Sequence, residues 1–98
     1  MSAPYFIVHR VELVPGGALV DGRLGESAIK KGHLFSRSFD SSAAWREEKK
    51  GEFRPCRLVV SGIEAYRKAF DELSGGMTAR LRIEGDGLDV LPLSRVLK

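Results

Sequence analysis

Val59-Val60-Ser61-Gly62-Ile63-Glu64-Ala65-Tyr66-Arg67-Lys68-Ala69-Phe70-Asp71-Glu72-Leu73-Ser74-Gly75-Gly76 is the stretch whose reading decides the fold. It opens as an apolar, β-branched run, the signature of a buried strand. The period then changes. Ile63, Tyr66, Phe70 and Leu73 recur three and four apart, which predicts one short helical turn near residues 66–73. Ser74-Gly75-Gly76 ends it, because glycine accepts a positive φ without steric cost.

Working outward, the flanks read as strands. Phe53 to Ile63 is a long central strand that leads into this stretch, and Met77 to Glu84 alternates apolar and polar residues after it. Tyr5 to Val14 and Ala18 to Leu24 form a hairpin around Pro15-Gly16-Gly17. On the second of these strands Leu19, Asp21 and Arg23 share one face, and Val20, Gly22 and Leu24 share the other. A glycine inside a strand, Gly22, predicts a bulge or a tight barrel bend. Ile29 to Gly32 is a short basic connection, and His33-Leu34-Phe35 starts the next strand.

Ser36 to Glu52 has little apolar content beyond Phe39 and Trp45, and predicts a long surface loop with a helical turn at 43–50 behind a Ser42 cap. Towards the C-terminus, Leu93 to Leu97 reads as a last strand. Pro92 is expected at a strand start or edge, where no ladder donor is needed. The sum is an all-β fold: one domain over residues 1–98, a small closed antiparallel β-barrel of about six strands. Closure removes the exposed strand edges that a short chain must otherwise protect.

Composition narrows the function less than the fold. The 98 residues carry sixteen Lys and Arg against thirteen Asp and Glu, a net charge of +3. That is a mild bias, compatible with a phosphate backbone or an acidic partner without demanding either. Ten of the cations are arginine, suited to bidentate contacts with carboxylate or phosphate. Arg10, Arg23, Lys30, Lys31, Arg54, Arg57, Arg80 and Arg82 fall on outward strand positions or turns, interleaved with Glu12, Asp21, Glu52 and Glu84. Gathered on one side they would track a phosphate backbone; interleaved, they make a mixed solvated surface.

No apolar run approaches the ~18–20 residues that span a bilayer, so no membrane partner is expected. A single cysteine, Cys56, leaves no intramolecular disulfide, and a cytoplasmic location is the default expectation. His9, His33 and Cys56 lack metal-ligand spacing. Neither a G-x-S-x-G motif nor a glycine-rich dinucleotide loop occurs. No enzyme activity and no cofactor are expected.

Ser61-Gly62-Ile63-Glu64-Ala65-Tyr66-Arg67-Lys68-Ala69-Phe70-Asp71-Glu72 resembles the second domain of elongation factor Tu and related translation GTPases. The likeness extends to Ala18-Leu19-Val20-Asp21-Gly22-Arg23-Leu24, to Ile29-Lys30-Lys31-Gly32-His33-Leu34-Phe35, and to the Leu81 to Val96 tail. It implies a closed antiparallel barrel, in agreement with the strand count. Two features depart from the family. The loop from Ser36 to Pro55 is longer, and there is no G-x-x-x-x-G-K-[ST], hence no nucleotide-hydrolysis site. The chain starts and stops close to the family's domain boundaries, as expected for a barrel acting alone or for one domain cut from a longer protein.

In that family the positions matching Glu64 and Arg67 contact the 3′-terminal adenosine of aminoacyl-tRNA. Glu12 matches an acidic position beside the same pocket. The resemblance therefore implies an RNA 3′ end, or a protein partner in translation, as the ligand. Chemically, an Arg three residues from a Glu is expected to pair with it across a turn and keep donors for phosphate or ribose. The competing expectation is a protein-interaction module unrelated to translation, with the 36–52 loop as its site and Trp45 as its anchor or base-stacking ring.

Overall fold

The computed structural model describes residues 4–40 and 53–98. Its strands are β1 Phe6–Val14, β2 Gly17–Leu24, β3 Ile29–Lys30, β4 Leu34–Phe39, β5 Phe53–Ala65, β6 Lys68–Phe70, β7 Glu72–Leu73, β8 Thr78–Asp86 and β9 Val96–Leu97. Every pairing is antiparallel. The hydrogen-bonded circuit runs β1–β2–β8–β5–β4–β9 and back to β1, which closes a six-stranded barrel. β6 is a flap on the end of β5, and β3 pairs with β7 in a separate ribbon.

Alternation on each strand supplies the core. β2 sends Ala18, Val20 and Leu24 inward, β8 sends Ala79, Leu81 and Ile83, and β5 sends Cys56, Leu58 and Val60. Phe6 and Phe35 fill the centre, each fully buried. Removing a side chain such as Leu81 from water contributes about 1.5–3 kcal/mol. The expected irregularity at Gly22 is present: the β1–β2 register slips between Val8 and Arg10, leaving His9 as the extra residue opposite Gly22 and Asp21.

A second bulge decides the central strand. The β5–β8 register slips between Val60 and Gly62, with Ser61 as the extra residue, and the Ser61 hydroxyl donates to the Arg82 carbonyl at 3.2 Å. Past the bulge the buried positions change phase, from Val60 to Ile63 and Ala65. A strand with one extra residue steps by three where it should step by two. The helix-like spacing lies beyond that step: Ile63 pairs with Phe70 across the β5–β6 hairpin, Tyr66 stands in its turn and Leu73 belongs to β7.

No helix forms at 66–73. Ala65 pairs with Lys68, and the two residues between them, Tyr66 and Arg67, have φ of 53° and 61°. Positive φ at both central positions is the mark of a type I′ hairpin turn. Tyr66, on the buried face of the expected helix, is 79% exposed.

Among the described residues a short helical turn lies instead at Leu88–Leu93, as a 3-10 helix. Leu88 and Leu91 are three apart, the repeat of that helix, and Leu91 is fully buried at the barrel end. Pro92 sits inside this helix rather than at a strand edge. The final strand shrinks to Val96–Leu97, because Ser94 ends the helix with its N–H on the Leu91 carbonyl. Its hydroxyl bonds the Val90 carbonyl at 2.8 Å and meets the Ser38 hydroxyl in the interior. β4 runs on to Phe39, so residues 36–39 belong to the barrel and not to a loop. The remainder of the expected loop, 41–52, lies outside the described residues.

Candidate functional site

Outward-facing residues of β1, β2, β8 and β5 line up in two rows. In one, Arg10 faces Asp21, Asp21 faces Arg80, and Arg80 faces Glu64. The charges alternate in sign across four strands, which is favourable for directly opposed pairs. Arg80 Nε donates to Asp21 Oδ1 at 2.7 Å and Nη2 to Oδ2 at 3.4 Å. That bond and the Asp21 charge, then the charges of Glu64 and Glu12, raise the Arg80 pKa and hold it as a fixed cation. The two carboxylates singled out from sequence thus act on one arginine that sequence reasoning counted only among surface cations.

In the second row Glu12 faces Leu19, Leu19 faces Arg82, and Arg82 faces Gly62. Here the surface dips. Gly62 contributes no side chain, and a concavity of about 320 Å³ opens over it, lined by Leu19, Glu64, Ala69, Arg80 and Arg82 among others. A Cβ at Gly62 would meet only the Arg82 Cβ, at 3.4 Å. Its φ is not in the left-handed region. Neither backbone conformation nor crowding requires glycine there. At the rim, Lys31 Nζ stands 3.9 Å from Asp71 Oδ1, a long pair between exposed groups.

Arg67 is not where pairing with Glu64 needs it. Among the described residues no hydrogen bond or ion pair joins them. In a two-residue hairpin Glu64 faces Ala69 across the ladder, whereas Arg67 occupies the tip. Arg67 and the exposed Tyr66 instead form the end of the β5–β6 flap, beside the concavity that β5 and β6 line. Two non-glycine residues in the left-handed region cost about 1–2 kcal/mol each, and such strain gathers at functional positions. Trp45 lies outside the described residues.

The basic residues do not gather on one side. Arg80 and Arg82 border the Gly62 concavity with Lys31. Arg54 and Arg57 lie on the β4-paired half of β5, and Arg57 faces Asp86. Arg23 ends β2.

Cys56 faces inward on β5, its thiol 3.7 Å from the Phe35 carbonyl, and burial pushes its pKa up. A thiol held protonated is a poor nucleophile. His33 meets the Phe35 ring edge-on at 4.8 Å, and burial lowers its pKa. Among the described residues no three His, Cys, Asp or Glu side chains gather as a metal-binding group, and no helix is long and apolar enough to cross a membrane.

Gly62, Arg80 and Arg82 were the residues that sequence reasoning undervalued. Strand alternation puts both arginines outward, but which residue of β5 each one faces depends on the Ser61 bulge. Comparison with known proteins finds no family model that matches the chain and no similar curated protein.

Proposed function

We propose that the chain is a non-enzymatic binding module of the type that forms the second domain of elongation factor Tu and related translation GTPases, and that it receives the 3′ end of an RNA over Gly62. The closed six-stranded antiparallel barrel is compatible with that type of domain. The observation that carries the proposal is the concavity itself, kept open by a glycine that the fold does not need. Its chemistry suits a nucleotide end. Leu19 and Ala69 offer apolar surface to a base, Arg82 and Arg80 offer donors to phosphate, and the Glu64 carboxylate accepts from ribose hydroxyls. Tyr66 at the flap tip adds a ring for stacking.

The test is an amide NMR titration with a short RNA ending in CCA, at low and raised salt. Shifts confined to Glu12, Gly62, Glu64 and the 66–67 turn, and surviving salt, are expected. Diffuse shifts on basic positions that vanish with salt reduce the interaction to phosphate attraction and reject the site. An absence of shifts rejects RNA ends altogether and leaves a protein as the partner. Gly62→Val fills the concavity, and is expected to abolish the local shifts while leaving the rest of the spectrum in place.

A further inference from the structure

A second concavity, of about 370 Å³, lies where β1 and β2 leave the barrel, lined by Tyr5, Ile7, Arg23, Gly25, Glu26 and Gly76 among others. It is built around one arginine. Arg23 Nε donates to the Gly76 carbonyl at 3.2 Å. Among the described residues its side chain makes no other hydrogen bond and no ion pair. The guanidinium is therefore held by one edge, and its two terminal nitrogens remain available as a fork. A fork of this kind matches a carboxylate, two N–H donors to two oxygens.

The backbone presets that arrangement. The Gly76 N–H donates to the Leu24 and Gly25 carbonyls at 3.0 and 2.8 Å, and the Leu24 N–H donates to the Met77 carbonyl at 2.9 Å. Gly75 lies so close to Glu26 that a Cβ would fall 2.2 Å from its carbonyl oxygen. The 74–77 turn is thus locked onto 24–26, and the lock aims the Gly76 carbonyl at Arg23. The facing wall is fixed in the same way. The Gly25 N–H donates to the Tyr5 carbonyl at 2.8 Å, and a Cβ on Gly25 would fall 2.3 Å from the Tyr5 ring. The ring lies across the glycine, and Ile7 faces Arg23 in the ladder. An arginine fork, an aromatic wall and an aliphatic neighbour meet in one place.

We propose that this concavity binds a monocarboxylate carried on an apolar or aromatic body. The carboxylate sits on Arg23 and the body rests between Tyr5 and Ile7. Glu26 on the rim repels a second negative charge, which selects a monoanion over a phosphate dianion. The site is separate from the Gly62 concavity and stands whether or not an RNA end binds there.

Benzoate, benzamide and inorganic phosphate are the probes, titrated into the full chain and followed by amide NMR. One exposed fork gives affinities on the order of 1 mM, so the titration runs to about 10 mM. Benzoate is expected to give saturating shifts at residues 5–7, 23–26 and 76. Benzamide, equal in shape but uncharged, is expected to give none that saturate, and phosphate much weaker ones. Arg23→Gln removes the charge from an exposed side chain, and is expected to weaken benzoate about tenfold or more. Glu26→Gln is expected to strengthen phosphate. Benzoate shifts that do not saturate, that are matched by benzamide, or that survive Arg23→Gln unchanged would overturn the site. Saturating phosphate shifts as strong as those of benzoate would overturn its selectivity for a monocarboxylate.

Discussion

Gly22 and Gly62 are both strand glycines beside a β-bulge, and they serve opposite ends. Gly22 points into the barrel. A Cβ there would fall 2.0 Å from the Ile7 carbonyl oxygen and 2.6 Å from the Phe6 ring. Gly62 points outward, with a single neighbour at ordinary contact distance. At Gly22 a side chain is excluded by the wall itself. At Gly62 it is absent although the fold has room for it, and its absence shapes a surface. One glycine belongs to the closure of the barrel, the other to what the barrel presents. Strand glycines in a small barrel are thus sorted by what a methyl group would touch.

The comparison is broken most severely at Gly22. Gly22→Ala drives a methyl group into a backbone oxygen and a fully buried ring, neither of which swings aside. A loss of about 3 kcal/mol is expected, at the upper end for overpacking, read as a lower urea midpoint. An unchanged midpoint would mean that the barrel wall yields, and the contrast with Gly62 would fail.

The flap tip comes next. Replacing Tyr66-Arg67 by Asn-Gly supplies the pair that a type I′ turn prefers. A gain of about 1–2 kcal/mol is expected, together with weaker binding of a CCA-ended RNA. A gain in stability with binding intact would make the two side chains irrelevant to the site.

Gly62→Val is the quiet counterpart of Gly22→Ala. Its stability is expected within about 0.5 kcal/mol of the parent, since β-branched residues suit a half-buried pleat and only Arg82 is near. A loss as large as that at Gly22 would place Gly62 among the residues that close the barrel.

The same bulge marks where the sequence was legible. Strands that alternate without interruption could be read directly: Leu81 and Ile83 inward, Arg80 and Arg82 outward, and the Pro15-Gly16 turn between β1 and β2. Gly22 announced an irregularity, because a glycine amid Val20 and Leu24 signals a bulge or a tight bend, and the bulge is what forms. Ser61 gave no such notice. Its extra residue converted a step of two into a step of three, from Val60 to Ile63, and the hairpin beyond it, which pairs Ile63 with Phe70 around Tyr66, matched a helix by accident. Tyr66 and Arg67 added to the illusion, since neither residue type advertises a positive φ. Of the site, Glu12 and Glu64 were visible as charges, but their shared partner Arg80 was not. That convergence exists only once β8 has been paired in register with both β2 and β5, and β2 with β1.

The smallest effect concerns His33, which tests whether the β5 bulge region is a softer part of the wall than the region of Gly22. The Gly32 N–H donates to the Val60 carbonyl at 2.7 Å, and the Val60 N–H to the His33 carbonyl at 2.9 Å. The histidine therefore sits against β5 one residue before the Ser61 bulge. Burial holds its folded pKa below the ordinary 6.5. As pH falls through 6.5 the unfolded chain takes up the proton first, and stability falls until the folded His33 is protonated as well. Its contribution is thus complete above about pH 6.5 and is lost in the window below. Urea midpoints at pH 7.5 and 5 are expected to differ less in His33→Asn than in the parent. Protonation is further expected to raise amide exchange at Val60 and Gly62 before it does so at Val20 and Gly22. Equal rises at both pairs would mean that the wall responds as one body, with Gly62 no softer than Gly22.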